Sequence, residues 1–197
     1  MSDRLNGRAA IVTGAGRGIG RAVAMALAAE GASVVVNDYG VAVDGTQPSK
    51  GPAKDVADEI KAAGGEAAPC YESVATVEGG EKIIQTALDA YGRLDILVNN
   101  AGILRDRMIF NMTEEEWDAV IAVHLKGHFC CTKPASVIFR QQRYGRIINF
   151  TSVSGLVGLP GQANYGAAKS GIAGFQSVRI ADGGLSTDTL PPATAKM

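Results

Sequence analysis

A short apolar strand that runs through a glycine-rich turn into a helix limits the fold of this chain more than any other feature. Residues 8–13 (RAAIVT) are mostly apolar and end at a glycine, which predicts a buried parallel strand. The turn at 14–20 (GAGRGIG) leads into an alanine-rich helix at 21–30 and a second apolar strand at 33–36. Strand, turn, helix and strand over about thirty residues predict a right-handed βαβ unit.

The rest of the chain continues the alternation of strand and helix. Apolar periodicity predicts helices at 53–63, 79–91, 113 to about 140 and from 163 onward, and strands at 66–70, 94–99 and 147–150. Gly127 and Pro134 are expected to bend the long helix. The segment 39–52, rich in glycine, proline and serine, is predicted to be a loop.

This pattern predicts an α/β fold, a doubly wound parallel sheet with strand order 3-2-1-4-5. With 197 residues, the chain fits one domain, which we expect over residues 1–180. The segment 181–197 contains Gly-Gly and Pro-Pro pairs and is expected to be an irregular tail.

The glycine turn has the composition of a phosphate-binding loop. Glycines there permit a tight turn and a close approach of backbone N–H groups to a pyrophosphate, and the helix N-terminus adds a partial positive charge. Asp38 comes 18 residues after Gly20, at the end of the second strand, where a carboxylate can accept hydrogen bonds from both adenosine ribose hydroxyls. This predicts NAD(H) as the cofactor, while Arg17 in the turn leaves NADP(H) possible. A purely structural glycine turn, with Asp38 capping a turn, is the alternative.

A second group of polar residues follows the strand predicted at 147–150. Ser152 lies at the end of that strand, and Tyr165 and Lys169 are four residues apart on the helix that starts at Ala163, so they share one helix face. Asn100 follows the strand predicted at 94–99, at the edge where ligands bind in open parallel sheets. A hydroxyl, a phenol and an ammonium are therefore expected to converge, although a solvated helix face would show the same Tyr-Lys spacing.

Four motifs in register resemble the short-chain dehydrogenase/reductase family from about Leu5 to Phe175. They are TGxxxGxG from Thr13, NNAG from Asn99, Ser152 and YxxxK from Tyr165. The segments VVVNDYG and NNAGILRDRMIF are most similar to the 3-hydroxyacyl-CoA dehydrogenase domain of peroxisomal multifunctional enzyme type 2 and its bacterial relatives. The similarity to 3-oxoacyl-acyl-carrier-protein reductases is more distant.

The resemblance implies a role for each site residue. Tyr165 is expected to be the general acid/base, Lys169 the cation beside it, and Ser152 the group that steadies the substrate oxygen. A phenol has an ordinary pKa of about 10, so proton exchange near neutrality needs such a cation. His124 stands where most family members carry an asparagine that completes a proton relay. The residues expected to bind the cofactor are Gly14, Arg17, Gly18, Ile19, Gly20, Asp38, Ser73, Val74, Asn100, Ala101, Gly102, Tyr165 and Lys169.

The expected function is hydride transfer between NAD(H) and a secondary alcohol or ketone, a 3-hydroxyacyl-CoA or a steroid-like lipid. Two alternatives are an NADPH-dependent 3-oxoacyl-acyl-carrier-protein reductase and a catalytically silent nucleotide-binding protein. The second alternative arises because the family adds further strands after the position of Phe175, whereas this chain does not continue the pattern. The strand at 147–150 is then expected to be an exposed edge of the sheet.

The composition limits the classes of molecule that the protein is expected to bind. A net charge of −1 without a dense basic run argues against nucleic acid, and no apolar run is long enough to cross a bilayer. His124 and His128, near Cys130 and Cys131, suggest zinc, but no acidic third ligand has helical spacing, so no metal site is expected. The resemblance implies a homodimer or homotetramer, and the absence of a signal-peptide pattern predicts a cytoplasmic protein.

Overall fold

The computed structural model describes residues 3–41, 44–45 and 51–176 of the chain. The predicted tail at 181–197 and part of the loop predicted at 39–52 lie outside the described residues. The strands are β1 (Ala9–Thr13), β2 (Ser33–Asn37), β3 (Glu66–Cys70), β4 (Ile96–Asn99) and β5 (Arg146–Asn149). The helices are α1 (Gly18–Ala29), α2 (Gly51–Ala62), α3 (Val77–Tyr91), α4 (Glu114–Ile121), α5 (Gly127–Gln142), α6 (Ser154–Val157) and α7 (Ala163–Gln176), with a 3₁₀ turn at Ile109–Asn111 and a π-helical turn at Ala122–Lys126.

The five strands form one parallel sheet in the order β3-β2-β1-β4-β5, which confirms the predicted fold class and strand order. β1 lies at the centre, with Val12 opposite Val36 on one side and opposite Val98 on the other. The carboxyl ends of all the strands therefore meet along one edge of the sheet, where the loops predicted to carry the site begin.

Helices cover both faces of the central strands because successive side chains in a strand point to opposite faces. Ala10 and Val12 of β1 belong to the core under α1 and α2, whereas Ile11 between them belongs to the core under α3 and α5. All five residues of β1 are buried. This two-sided burial explains why the strand reads as a continuous apolar run rather than an alternating one.

A buried carboxylate joins the amino-terminal ends of β1 and β4. Asp95 is fully buried and accepts hydrogen bonds from the Ala9 backbone N–H at 3.0 Å, from Arg8 at 2.9 Å and from Arg93 at 2.6 Å. Burial raises the pKa of Asp95, but these hydrogen bonds outweigh burial and the pKa is lowered. The ionised carboxylate therefore holds the amino-terminal ends of β1 and β4 together. These ends lie at the edge of the sheet opposite the candidate site.

The long helix predicted from 113 to about 140 is divided just before Gly127, one of the two positions where a bend was predicted. Thr113 caps α4 as predicted, and a capping box with Glu116 closes its first turn. The division is the π-helical turn at Ala122–Lys126, whereas Pro134 lies inside the continuous helix α5. The predicted bend at Pro134 is therefore not where the structure places the irregularity, and Gly127 begins the second half.

Within the described part of the chain, β5 lies at the edge of the sheet, as predicted. None of its four residues is fully buried, and Ile148 is 45% exposed. Ile148 pairs with the buried Val98 of β4, so both side chains point to the same face of the sheet. The core under α1 and α2 thus ends at β4 among these residues.

Candidate active site

A cavity of about 410 Å³ lies at the carboxyl ends of the strands. It brings together two groups of residues that are far apart in the sequence, the glycine turn after β1 and the Tyr-Lys pair of α7. Twelve of the thirteen residues predicted to bind the cofactor line the cavity, and so does His124. These are Gly14, Arg17, Ile19, Gly20, Asp38, Ser73, Val74, Asn100, Ala101, Gly102, Tyr165, Lys169 and His124.

The remaining two predicted residues are not among the lining residues. Gly18 begins α1 with a φ of +54°, and an added Cβ there would meet no atom within 4 Å. Ser152 lies beside the lining residue Thr151, and its Oγ accepts a hydrogen bond from the Ser154 backbone N–H at 3.2 Å. The structure therefore places Gly18 and Ser152 next to the cavity rather than in its wall.

The glycine turn is packed so closely that three of its glycines, Gly14, Gly16 and Gly20, have no room for a side chain. A Cβ on Gly20 would lie 2.1 Å from the Gly14 carbonyl oxygen, and a Cβ on Gly14 would lie 2.7 Å from the Ala101 Cα. The first contact is inside the turn and the second joins it to the loop after β4. Ile19 and Gly20 at the start of α1 line the cavity, and the first turn of a helix has backbone N–H donors without partners inside the helix.

Asp38 follows β2 and is buried, with 8% of the residue exposed. Its Oδ2 accepts a hydrogen bond from the Gly16 backbone N–H at 2.8 Å, and its Oδ1 accepts one from the Gly40 N–H at 2.7 Å. Asp38 therefore both fixes the glycine turn and lines the cavity. Each carboxylate oxygen retains a lone pair that can accept a further hydrogen bond from a ligand.

Thr13, which had no predicted site role of its own, joins the ends of β1 and β4. Its Oγ1 accepts hydrogen bonds from the backbone N–H groups of Asn100 at 3.0 Å and Ala101 at 3.1 Å. The Asn100 side-chain amide also donates, to the carbonyl oxygens of Thr13 at 3.0 Å and Gly14 at 3.1 Å. The signal in the sequence was a hydroxyl at the end of a buried strand, directly before the glycine turn.

Tyr165 and Lys169 lie one turn apart on α7, as their spacing predicted. Lys169 is only 3% exposed, and its Nζ donates a hydrogen bond to the Phe150 carbonyl oxygen at 2.6 Å. The same Nζ lies 5.6 Å from the centroid of the Tyr165 ring. Burial lowers the pKa of Lys169 to about 8, so at pH 7 about nine in ten side chains carry the charge. A cation therefore stands beside the phenol.

His124 lies in the π-helical turn and is 3% exposed. Its Nε2 is 2.8 Å from the Ile103 carbonyl oxygen and 3.1 Å from the Ile103 backbone nitrogen, and its ring meets the Tyr165 ring edge-on, with centroids 5.1 Å apart. Burial, followed by the charge of Lys169, lowers the pKa of His124 to about 4. The imidazole is therefore neutral at physiological pH and in contact with Tyr165.

Asn164 was not predicted, although it immediately precedes Tyr165 in the first turn of α7. It is fully buried, and its amide donates at 3.0 Å to the carbonyl oxygens of both Arg105 and Glu116. Its Oδ1 accepts from the Tyr165 backbone N–H at 2.7 Å. Asn164 thus fixes the start of the Tyr165 helix to the loop after β4 and to α4.

Two further observations concern metal-ligand clusters and membrane-spanning helices. Among residues 3–41, 44–45 and 51–176, no group of three or more His, Cys, Asp or Glu side chains is placed to hold a metal ion. In the same residues, no helix has the length and apolar character needed to span a membrane.

Residues 8–182 match the family model described as short chain dehydrogenase. Among curated proteins, the chain is 48% identical to peroxisomal multifunctional enzyme type 2 of Drosophila melanogaster, covering 98% of this chain and 33% of that protein. It is also 48% identical to the hydroxyacyl-CoA dehydrogenase ChsB1 of Mycobacterium tuberculosis, covering 85% of this chain and 54% of that protein. The chain therefore spans a third to about half of these relatives.

A solved structure is similar over the same region. The crystal structure of a short chain dehydrogenase from Mycobacterium avium shares 56% sequence identity with the chain at a TM-score of 0.82. The match covers 88% of this chain and 62% of the solved one. These findings confirm the resemblance that the four motifs predicted.

Proposed function

The chain belongs to the short-chain dehydrogenase family, and from this premise we propose that it transfers hydride between NAD(H) and a secondary alcohol or ketone. The observation that carries the proposal is the single cavity shared by the glycine turn, Asp38, Tyr165 and Lys169. A dinucleotide-binding end and a proton-transferring end in one cavity suit an oxidoreductase.

The residues present fit a dinucleotide. The glycine turn and the start of α1 offer backbone donors for a pyrophosphate, and Asp38 offers a buried carboxylate for ribose hydroxyls. Ser73 and Val74 after β3, and the loop at 100–102 after β4, line the same cavity and would contact the rest of the cofactor. When bound, the nicotinamide supplies or accepts the hydride.

Side chains of the protein itself would transfer the proton to or from the substrate oxygen. The Tyr165 phenol would donate a proton to, or accept one from, the substrate oxygen, and the Lys169 ammonium would stabilise the phenolate at that moment. Ser152 would donate a hydrogen bond to the substrate oxygen from beside Thr151. Thr151 lines the cavity and donates from Oγ1 to the Lys169 carbonyl oxygen at 2.8 Å, so the strand end and α7 are held together.

His124 would complete the relay as a neutral imidazole. Because its pKa is lowered to about 4, it does not store a second proton near neutrality. It would instead accept a proton at one ring nitrogen while it releases another at the second. Its Nδ1 has no hydrogen-bond partner among the described residues, so that nitrogen is available for a proton.

The proposed substrate class is supported by exposed apolar side chains on the segments that follow β4 and β5. The loops after β4 and β5 meet at a bridge between Arg107 and Gln162. Large apolar side chains on these two loops are exposed: Ile109 by 63%, Phe110 by 76%, Leu156 by 72% and Val157 by 74%. An apolar rim of this kind suits the acyl chain of a 3-hydroxyacyl-CoA or the rings of a steroid-like lipid.

A second candidate is an NADPH-dependent 3-oxoacyl-acyl-carrier-protein reductase. The observation that favours it is Arg17, whose cation lines the same cavity as Asp38 and would suit a 2′-phosphate. The Asp38 carboxylate would repel that phosphate, and for this reason we place NAD(H) first.

The cofactor is tested by calorimetric titration of the purified chain with NADH and, separately, NADPH. We expect tighter binding of NADH, and Asp38→Ala should reduce or reverse the preference because it removes both the ribose acceptor and the repulsion of a 2′-phosphate. Tighter binding of NADPH by the unaltered chain would reject the Asp38 argument and favour the second candidate.

Turnover is tested with Tyr165→Phe, which removes the exchangeable proton and keeps the ring. We expect kcat for oxidation of a 3-hydroxyacyl-CoA to fall by about 10² to 10⁴-fold, with NADH affinity unchanged. Full activity of Tyr165→Phe would reject the mechanism.

If the unaltered chain binds NADH but shows no turnover of hydroxyacyl-CoA or steroid alcohols, the protein is a silent nucleotide binder. We also propose a homodimer or homotetramer, which sedimentation of the same sample tests.

A further inference from the structure

His128 lies one helical turn after His124, is only 2% exposed and has no part in the chemistry proposed above. Its Nδ1 is 2.6 Å from the His124 carbonyl oxygen. A carbonyl oxygen can only accept, so Nδ1 must carry the hydrogen. Burial lowers the pKa of His128 to about 4, which leaves a neutral ring protonated at Nδ1. The bond between His128 and His124 is therefore a side-chain to backbone hydrogen bond with a fixed direction.

The carbonyl that His128 contacts lies in the irregular part of the long helix. The π-helical turn contains His124 and ends at Lys126, and the backbone N–H of the following Gly127 also donates to the His124 carbonyl oxygen. Such turns are rare inside helices and depend on local contacts for their stability. A side chain that bonds a carbonyl four residues earlier competes with the regular helical bond and favours an altered backbone.

The His124 ring has little freedom beyond that turn. A Cβ on Gly102 would lie 2.4 Å from the His124 Cε1, so the ring packs directly on the backbone of the loop after β4. On another side, Ile103 contacts Nε2, and the Tyr165 ring meets the imidazole edge-on at 5.1 Å. A shift of the π-helical turn would therefore move the contact between His124 and Tyr165.

We propose that His128 is a positioning residue for the active site. Its Nδ1–H, bonded to the His124 carbonyl oxygen, holds the π-helical turn in the shape that places the His124 imidazole between Ile103 and the ring of Tyr165. The inference rests on the proposed function, because it assigns His128 an effect on the step in which Tyr165 exchanges its proton. His128 acts only through His124 and does not touch the substrate.

Two amide variants test whether a donor at the position of Nδ1 is required or whether any polar group at residue 128 is sufficient. Asparagine places its amide nitrogen where Nδ1 lies, whereas glutamine places it near the position of Nε2. His128→Asn therefore keeps the donor to the His124 carbonyl oxygen, and His128→Gln does not. His128→Leu removes both nitrogens and retains the bulk.

Steady-state kinetics of the full chain with NAD⁺ and a 3-hydroxyacyl-CoA give the first measurement. We expect His128→Gln and His128→Leu to lower kcat by about 10-fold or more, since small displacements of catalytic groups have effects of this size, while KM and NADH affinity stay within about 3-fold. His128→Asn is expected to restore most of kcat. Equal activity of the Leu variant and the unaltered chain, or equal loss in the Asn and Leu variants, would overturn the proposal.

The second measurement does not need turnover and separates this inference from the proposed function. Nitrogen-15 NMR of the histidine rings in the NADH complex reports the environment of His124 in each variant. We expect the His124 ring signals to move in the Gln and Leu variants and to stay in place in the Asn variant. If the unaltered chain is inactive, the proposed function fails, and these signals alone decide the role of His128. If only the Gln and Leu variants unfold, the bond is a folding contact and the proposal is wrong.

Discussion

The first and the last strand of the described sheet both lead into the active site, yet they are supported in different ways. All five residues of β1 are buried between β2, β4 and helices on both faces, whereas β5 has no fully buried residue and lies at the edge. The end of the cavity formed by the glycine turn, which we propose binds the nucleotide, thus follows a fully buried strand. The end that carries Tyr165 and Lys169 follows the edge strand β5.

Polar contacts at the Tyr165 end add to a smaller apolar cluster, in which Ala168 of α7 packs with Ile103 and Val120. Lys169 bonds the Phe150 carbonyl oxygen, Thr151 bonds the Lys169 carbonyl oxygen, and Asn164 bonds two carbonyl oxygens outside its helix. Each such bond typically adds about 1 kcal/mol to stability, and leaving a partner unpaired after burial costs more. The comparison teaches that the two ends of one cavity share hydrogen bonds to backbone groups but differ in how deeply the strand that leads into each of them is buried.

The largest expected effect is a loss of folding stability at acidic pH. Both histidines of the chain, His124 and His128, lie at the Tyr165 end, and the pKa of each is lowered from 6.5 to about 4. Between these values the unfolded chain binds more protons than the folded one, so stability falls as pH falls from 6.5 towards 4. The loss is about 3 kcal/mol for each imidazole.

Urea unfolding followed by the fluorescence of Trp117, the single tryptophan, measures this loss because Trp117 lies in α4 at the same end. The variant His128→Asn retains one of the two imidazoles and should lose about half of the pH dependence in this window. A free energy of unfolding that is constant from pH 6.5 to 4.5 would show that the imidazoles are not buried in their neutral form.

The next largest effect is expected when a methyl group is added to the glycine turn. In Gly20→Ala the new Cβ would lie 2.1 Å from the Gly14 carbonyl oxygen, so the turn must open. We expect a loss of about 3 kcal/mol and the loss of measurable NADH binding. Gly174→Ala in α7 is the control, since a Cβ there meets nothing within 4 Å, and it should raise stability by up to about 1 kcal/mol. Normal NADH affinity in Gly20→Ala would contradict the packing of the turn.

The smallest effect is expected at the edge strand. Val98 and Ile148 are paired in adjacent strands, but Val98 is fully buried and Ile148 is 45% exposed. Val98→Thr buries a hydroxyl and should cost about 1 to 3 kcal/mol, whereas Ile148→Thr should change stability by about 0.5 kcal/mol and reduce aggregation on heating. Chemical denaturation and light scattering measure both. Equal losses in the two variants would mean that β5 is covered in solution.

Much of the fold could be predicted because apolar periodicity and turn residues mark the strands and helices locally in the sequence. β3 matches its predicted bounds, 66–70, and the other strands differ by one or two residues at their ends. The start of α1 at Gly18 rather than at 21 was not evident, since glycine is a poor indicator of helix. The π-helical turn was not predictable either, because it depends on contacts of His124 with Ile103 and His128 rather than on periodicity.

The site was predictable to the extent that its residues have distinctive spacing. Asp38, Tyr165 and Lys169 were selected by their spacing and line one cavity, while their roles stay predictions. Thr13 and Asn164 were missed as site residues because their roles consist of hydrogen bonds to distant backbone groups, which no spacing reveals. Ser152 has a clear position in the motif, yet its side chain lies beside the cavity wall, so its role in binding the substrate oxygen stays a proposal.

The carboxylate of Asp38 has a consequence for the energetics of association. Because Oδ1 and Oδ2 already accept hydrogen bonds from the Gly40 and Gly16 N–H groups, the side chain keeps one orientation before any ligand arrives. A nucleotide that binds there does not have to immobilise a free rotamer, which otherwise costs about 0.5 to 1.5 kcal/mol for each ordered side chain. The free protein is in this respect preorganised, and we expect affinity at this position to be limited by desolvation of the ribose hydroxyls and the carboxylate rather than by loss of side-chain entropy.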